Sequence, residues 1–208
     1  MIGIVDLGIC NSGSVENMLR KVGVRSTCIT RTDEAAGLKA FILPGVGHFD
    51  AGIRRLRETG FASLIQDRAA AGDPVLGICL GMQLLGLSSE EGDAEGLGLL
   101  PARYVRFQPE ASNAPLRVPH MGWNGVTANP AKSITRDLPA DARFYFVHSY
   151  HAVVDDPALI ALSTVYGYPF PSGLQDGRIV GVQFHPEKSH DFGKLLLRAF
   201  ADLVYVDA

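Results

Sequence analysis

The sequence predicts an α/β fold whose central sheet is mostly parallel and covered by helices on both faces, with a smaller antiparallel strand region. In the first half of the chain, short apolar runs alternate with helical patterns, which is typical of parallel sheets. In the second half, strand-like runs follow one another and are separated by turns. No repeat, low-complexity tract or interdomain linker interrupts the 208 residues, so we expect a single domain over residues 1–208.

Apolar periodicity and turn residues give the elements of the first half in order. A strand over residues 2–6 leads through a loop into a helix from Ser12 or Ser14 to about Val22. Gly23 ends that helix. We then predict strands over residues 24–30, over residues 40–43 and up to Cys79, and helices over residues 49–58, 61–71 and 80–87.

The second half is predicted to be rich in strands and loops. We interpret residues 120–124 as a loop that contains the only tryptophan, and residues 167–177 as another loop, since it holds two prolines. Strand-like runs cover residues 102–107, 116–118, 143–147, 159–166 and 179–184, and the last helix covers residues 191–203.

Ligand sites of open α/β sheets lie at the carboxyl ends of the strands, so the loops at 7–13, 44–48 and 79 should meet there.

Charge and cysteine usage exclude several classes of function. The net charge is −3, from 19 Lys and Arg against 22 Asp and Glu, which gives no reason to expect nucleic acid or an anionic membrane as a partner. No apolar run is long enough to span a membrane, and the first residues have a strand pattern rather than that of a signal peptide. Three cysteines in different elements indicate a reducing, cytoplasmic compartment. We see no metal-ligand spacing and expect neither a metal nor another cofactor.

The stretch from Pro74 to Gln83 has the pattern of a nucleophile elbow. An apolar run ends in Gly77-Ile78-Cys79-Leu80-Gly81, where a strand would turn sharply into a helix. The two glycines lack the Cβ atoms that would clash in so tight a turn. At the start of a helix, the Cys79 thiol would be activated and would lie near free backbone N–H groups. The alternative is a core cysteine, because free cysteine is among the most buried residue types.

A second glycine-rich loop, Pro44-Gly45-Val46-Gly47, follows the strand over residues 40–43. Its glycines would let backbone N–H groups approach a ligand, as the donors of an oxyanion hole must. The alternative is a plain strand-to-helix turn, which would be preferred if the cysteine elbow were absent.

His185-Pro186-Glu187 follows the last apolar strand and should emerge at the same edge of the sheet as Cys79. Pro186 favours an extended conformation for His185, and in an extended chain residues i and i+2 point to the same side. His185 and Glu187 would then form a general base and its orienting carboxylate, in the arrangement of a nucleophile–histidine–acid triad. The alternatives are a histidine that caps a strand end and a solvated acid.

Together these motifs resemble those of the class I (triad) glutamine amidotransferases, and the resemblance covers essentially the whole chain. It implies a glutaminase in which Cys79 attacks the side-chain amide of L-glutamine, ammonia leaves, and a glutamyl thioester is hydrolysed. It also implies that backbone N–H groups near Val46, Gly47 and Leu80 form the oxyanion hole. By the family pattern, the substrate is held by Gln83, Glu91, Ser149 and Tyr150.

Further stretches resemble the glutaminase subunits of imidazole glycerol phosphate synthases, which act in histidine biosynthesis. They are residues 88–92, 96–99, 120–124, 145–150 and 183–189. This resemblance implies a heterodimer with a (β/α)8-barrel cyclase that makes imidazole glycerol phosphate and AICAR, with ammonia passing through the barrel. It also implies that Trp123, Tyr145 and Lys188 lie at the partner interface or at the ammonia gate. The alternatives are a core Trp, a core Tyr and a surface Lys.

Two features of the sequence depart from that pattern. In the first loop, Leu7, Cys10 and Gly13 stand where the family usually has Tyr, Gly and a bulkier residue. In addition, residues 188–193 resemble relatives that supply ammonia for an amidation step in surface-polysaccharide sugar synthesis. The acceptor of the ammonia therefore stays open, since it binds the other subunit. A stand-alone cysteine hydrolase and a catalytically idle interaction module are the remaining alternatives.

Overall fold

The computed structural model describes residues 1–8, 12–111 and 116–204. Ile9, Cys10 and Asn11 of the unusual first loop lie outside the described residues. The described α-helices are α1 (Ser12–Lys21), α2 (Phe49–Glu58), α3 (Phe61–Ala70), α4 (Leu80–Leu84) and α5 (His190–Asp202). The strands are β1 (Ile2–Val5), β2 (Ser26–Ile29), β3 (Ala40–Gly45), β4 (Val75–Cys79), β5 (Ser88–Ser89), β6 (Ala102–Arg106), β7 (His120–Gly125), β8 (Thr127–Ala128), β9 (Arg143–His148), β10 (Tyr150–Val154), β11 (Ile160–Tyr166), β12 (Tyr168–Asp176) and β13 (Ile179–Val182).

The main sheet of the described chain has eight strands in the order β2-β1-β3-β4-β13-β12-β11-β8. The first five strands of this order run parallel to their neighbours. From β13 onward the pairs are antiparallel. The predicted α/β class with a mostly parallel central sheet and a smaller antiparallel region is therefore confirmed. The order also makes β4 and β13 neighbours, so the residues that follow them emerge side by side.

Two apolar cores lie on opposite faces of this sheet. Successive strand residues alternate between them, so that Ile42 and Ile78 belong to the first core while Phe41 and Leu43 belong to the second. Helices α1 and α5 contribute to the first core, and α2, α3 and α4 contribute to the second. The predicted covering of both faces follows from this alternation.

Two small sheets flank the carboxyl edge of the parallel strands. β10 pairs antiparallel with β6, which in turn pairs parallel with β5. β7 pairs antiparallel with β9, and this register places Trp123 opposite Tyr145 and His120 opposite His148. A bridge between Tyr145 and His185 then ties the second small sheet to the end of the main one.

The prediction of a loop over residues 167–177 is wrong, because most of this segment forms β12. Pro169 and Pro171 are tolerated because their half of the strand has only β11 as a neighbour in the ladder. β13 pairs with β12 only from Gly173 onward, so no second ladder requires the missing proline N–H groups.

Three other predicted elements also differ from the structure. Residues 120–124 belong to strand β7 and are not a loop. The strand has the reverse of the usual polarity, because His120 is buried while Met121 and Trp123 face outward.

Residues 116–118 are irregular rather than a strand, and their apolar side chains pack against the first core. Helix α4 ends at Leu84 rather than near residue 87, since Gly86 packs closely against Tyr104 and Ala102.

The contact between α4 and β3 predicts a large effect for Gly81→Ala. A Cβ built at Gly81 would lie 1.7 Å from the carbonyl oxygen of Leu43, a backbone atom that cannot move without disturbing the sheet. We expect this variant to lose at least about 3 kcal/mol in the free energy of unfolding, measured by urea denaturation. Gly125→Ala is the matched control, because a Cβ there has open space, and it should change stability by less than about 0.5 kcal/mol. Equal stability of the two variants would show that the α4–β3 contact is not a constraint.

Candidate active site

Cys79 is held in a strained backbone conformation where β4 turns into α4. Its φ is 55° and its ψ is −111°, in the region that non-glycine residues seldom adopt, and its side chain is buried. A Cβ at Gly77 would meet the carbonyl oxygen of Gly81 at 2.6 Å, so both flanking glycines are required by the close turn. The predicted strand, tight turn and helix start are present, with a shorter helix than expected.

His185 and Glu187 form a buried pair next to this turn. The Nδ1 of His185 lies 2.8 Å from Oε1 of Glu187, and the side chains are only 3% and 6% exposed. His185 is extended, but residues 186–188 form a 3-10 turn, so the expected extended path to Glu187 is wrong. The turn, rather than strand alternation, brings the carboxylate back to the imidazole.

Hydrogen bonds to neighbouring elements fix the backbone of His185 in place. The backbone N–H of His185 donates to the carbonyl of Tyr145 at 2.9 Å, and the Ser189 hydroxyl donates to the carbonyl of His185 at 2.6 Å. Because Glu187 receives the Nδ1 proton, the neutral ring presents Nε2 as an acceptor. This Nε2 is buried and has no hydrogen bond of ordinary geometry within the described chain, which leaves it available to the Cys79 sulfur.

The surroundings of His185 favour its charged form. Burial alone would lower its pKa, but contacts with Cys79 and then Glu187 outweigh burial and raise the pKa to about 9. A proton that leaves the Cys79 sulfur is therefore well held on His185. The pair is suited to a thiolate and an imidazolium side by side, which is the state from which a cysteine attacks.

A cavity of about 370 Å³ opens in front of Cys79. Its size suits a small molecule. Every residue that sequence reasoning placed in the oxyanion hole or in substrate binding lines it. These residues are Val46, Gly47, Leu80, Gln83, Glu91, Ser149 and Tyr150, together with Cys79, Pro119, Val147 and His148.

The backbone conformation of Gly47 and a hydrogen bond of Glu91 explain the positions of these two predicted residues. Gly47 has a φ of 113°, which suits glycine and turns the loop after β3 toward the cavity. The Oε2 of Glu91 accepts the backbone N–H of Phe49 at 2.8 Å, so the carboxylate is fixed at the start of α2. The loop at residues 91–94 is held further by Asp50, which accepts the N–H groups of Asp93 and Ala94.

Sequence reasoning missed Gln183, which is fully buried beside the cysteine. Its Nε2 lies 3.8 Å from the Cys79 sulfur, and its Oε1 accepts the Nε2 hydrogen of Gln83 at 3.1 Å. The sulfur also contacts the carbonyl oxygen of Val147 at 3.9 Å. The available signal was a single amide in the otherwise apolar run that leads to His185.

Sequence reasoning also missed a buried histidine pair at the wall of the cavity. The Nδ1 of His120 lies 2.9 Å from Nε2 of His148, and Nδ1 of His148 lies 2.7 Å from the carbonyl oxygen of Tyr150. Asn124 supplies an amide hydrogen to Nε2 of His120 at 3.3 Å. Since the carbonyl oxygen can only accept, the hydrogen bonds run in one direction with both rings neutral. Burial lowers the pKa of His120 to about 4 and that of His148 to about 3.

The three predicted interface residues share one surface beside the active site. Trp123 is 48% exposed, so it is not a core residue. Its ring makes an edge contact with Tyr145 and stacks on His190, with centroids 5.4 Å apart in the second pair. The Nζ of Lys188 lies 5.7 Å from the centroid of the Tyr145 ring. Met121, which is 62% exposed, extends this surface.

Comparison with known proteins agrees with this geometry. Residues 3–202 match the family model described as glutamine amidotransferase class-I. The chain therefore belongs to the class-I glutamine amidotransferase family of enzymes.

Two relatives that match nearly the whole chain have the same description. The imidazole glycerol phosphate synthase subunit HisH 2 of Pseudomonas aeruginosa is 42% identical over 98% of this chain and 100% of that protein. The protein of the same description from Methanococcus maripaludis is 42% identical over 96% of this chain and 98% of its own length. A crystal structure described as a glutamine amidotransferase covers 99% of both chains with a TM-score of 0.74 and 22% identity, which shows the shared fold.

Two kinds of feature are absent from the described residues. No helix there is long and apolar enough to cross a membrane. No group of three or more His, Cys, Asp or Glu side chains within those residues could hold a metal ion.

The buried histidine pair predicts how stability depends on pH. Between pH 6.5 and about 4, the unfolded chain binds protons at His120 and His148 that the folded chain does not. Stability should therefore fall as the pH falls through this window, by about 1.4 kcal/mol per pH unit for each histidine, and this loss is absent above it. Urea denaturation at several pH values measures the slope.

Two variants identify the source of that slope. His120→Asn removes one of the two groups and should reduce the slope in the acidic window. His48→Asn is the control, because His48 is exposed and asparagine can keep its capping role at α2. An acidic slope that is the same in His120→Asn and in the original protein would contradict the explanation.

Proposed function

We propose that this chain is the glutaminase subunit of an imidazole glycerol phosphate synthase in histidine biosynthesis. It hydrolyses L-glutamine to glutamate and ammonia and passes the ammonia to a (β/α)8-barrel cyclase, which makes imidazole glycerol phosphate and AICAR. The observation that carries the chemistry is the buried Cys79, His185 and Glu187 group at the end of a cavity of about 370 Å³. The identity of about 42% to HisH proteins along nearly the whole chain supports the pathway.

In the proposed first step, His185 Nε2 takes the proton of the Cys79 thiol and the sulfur attacks the amide carbon of glutamine. The carbonyl oxygen becomes an oxyanion, which accepts hydrogen bonds from backbone N–H groups near Val46, Gly47 and Leu80. Collapse of this intermediate breaks the C–N bond, and the imidazolium protonates the leaving nitrogen, so that ammonia departs. Glu187 keeps the imidazole in the tautomer that this exchange requires.

In the second step, water hydrolyses the glutamyl thioester. His185 takes a proton from the water as its oxygen attacks the thioester carbon, and the C–S bond then breaks. The proton returns to the sulfur, glutamate leaves, and Cys79 and His185 are restored. The raised pKa of His185, about 9, supports a stable imidazolium in both steps.

The cavity supports the proposed recognition of glutamine. Glu91 places a carboxylate where it can bind an α-ammonium group, and its link to the Phe49 N–H fixes its direction. Gln83 and the backbone of Ser149 and Tyr150 supply polar groups along the same cavity. The Tyr150 carbonyl is itself positioned by His148, so the neutral histidine pair supports this wall.

The surface formed by Met121, Trp123, Tyr145 and Lys188 is the proposed interface with the cyclase. Exposed aromatic and Met side chains are enriched at protein interfaces. A cavity of about 140 Å³ is lined by His185 and Glu187 of the catalytic pair and by Lys188 of this surface. It is the proposed exit for ammonia. A heterodimer acting in the cytoplasm, with residues 1–208 as one domain, completes the proposal.

The second candidate is a glutaminase that supplies ammonia for an amidation in surface-polysaccharide sugar synthesis. The sequence of residues 188–193 favours it, and His190 of this segment stacks on Trp123 at the proposed interface. The same triad would serve both functions. Only the partner and its acceptor differ, so a test must include the partner.

The Cys79→Ala variant tests the function in a complex with a histidine-pathway cyclase. We expect glutamine-dependent turnover of the cyclase to fall by at least about a thousandfold, since the nucleophile is lost. Turnover with added ammonium salt should change by less than about twofold, because the cyclase is intact. Cys28→Ala, at the other described free cysteine, is the control and should retain glutamine-dependent turnover.

Two outcomes would oppose the proposal. Full glutamine-dependent turnover without the Cys79 thiol would exclude the proposed nucleophile. Glutamine hydrolysis that couples to a sugar-modifying barrel protein, but not to the histidine-pathway cyclase, would favour the second candidate.

A further inference from the structure

The side chain of Gln183 bridges Gln83 and the Cys79 sulfur. It lies one residue past the end of β13 and two residues before His185, and it is fully buried. Its backbone N–H donates to the carbonyl of Ser172 at 2.9 Å, which holds the residue against β12. The amide is therefore fixed at both its backbone and its side chain.

The contacts of this amide determine which end faces the sulfur. Gln83 donates its Nε2 hydrogen to Oε1 of Gln183 at 3.1 Å, so the Gln183 oxygen is already engaged. The other end of the amide, Nε2, is then turned to the Cys79 sulfur at 3.8 Å. An amide N–H can only donate, so this contact requires an acceptor on the sulfur.

Two contacts on the sulfur correspond to its two protonation states. A thiol can donate its proton to the carbonyl oxygen of Val147, which lies 3.9 Å away. A thiolate has no proton to donate but accepts readily, and the N–H of Gln183 is directed toward it. Loss of the proton therefore removes the first contact and strengthens the second, because a thiol sulfur accepts hydrogen bonds only weakly.

We infer that Gln183 is a further catalytic residue of the proposed glutaminase, whose side-chain N–H stabilises the Cys79 thiolate once the proton has moved to His185. Gln83 is the positioning residue that holds the Gln183 amide in the donating orientation. This inference rests on the proposed function, in which the thiolate is the attacking species. It adds a neutral donor to a site where His185 is the adjacent cation.

The test compares three glutamine-to-methionine variants of the full chain, since methionine keeps the side-chain length and removes the N–H. The readout is the rate at which iodoacetamide alkylates Cys79 near neutral pH, followed by mass spectrometry of the Cys79 peptide. This rate reports the thiolate and needs neither glutamine nor the cyclase. Thiolate absorbance in the ultraviolet, relative to Cys79→Ala, is measured on the same samples.

For Gln183→Met we expect alkylation to slow by about tenfold and the thiolate absorbance to fall, because a hydrogen bond to a charged group is lost. For Gln83→Met we expect a smaller slowing of about threefold, because Gln183 can then rotate. Gln175→Met is the matched control. Gln175 is a buried glutamine on β12 that bonds Ser133 and Gly177 and not the cysteine, and its change should leave alkylation within about twofold.

The outcomes separate this inference from the proposed function. Alkylation that is unchanged in both Gln183→Met and Gln83→Met would overturn the role of Gln183, whatever the activity. If Gln183→Met does not fold, as urea denaturation would show, unchanged alkylation in Gln83→Met alone overturns it. A slow Cys79 in these variants, combined with no glutamine hydrolysis by the unaltered complex, would support the thiolate donor and reject the glutaminase.

Discussion

The close backbone contact between Gly81 and Leu43 is the constraint on which the site depends. With no Cβ at position 81, α4 lies directly against β3, and its first residue follows Cys79 without a connecting loop. Cys79 makes this turn with a φ of 55°. The strain at one residue is held by the packing of two strands and a helix, so the sulfur has a defined direction before any substrate binds.

The order of strands supplies the second half of the site. β13 is inserted between β4 and β12 and is parallel to β4, so the chain leaves both strands at the same edge. His185 follows β13 by a few residues and is then attached to β9 through Tyr145. Residues that are about a hundred positions apart in the sequence thus meet through sheet topology alone, and the loop over the cavity comes from a third strand, β3.

The features that could be predicted from the sequence are those encoded locally. Gly-x-Cys-x-Gly and His-Pro-Glu each stand at the end of an apolar run, so their chemistry and their common edge of the sheet follow from neighbouring residues. β12 was not predictable in this way, because its prolines are tolerated only where the ladder has one side. Gln183 and the His120–His148 pair depend on contacts across 104 and 28 positions, which no local pattern records.

Three of the four buried histidines of the described chain, His120, His148 and His185, show how partners, rather than burial, assign a role. His120 and His148 bond to each other, to an amide and to a carbonyl, and with no carboxylate bonded to them burial lowers their pKa. His185 is similarly enclosed, but Glu187 and Cys79 contact it and its pKa rises instead. The proximity of His185 further disfavours a charge on His148. Near neutral pH the proton is therefore directed to one imidazole, the one beside the sulfur, while the others remain neutral hydrogen-bonding supports of the cavity wall.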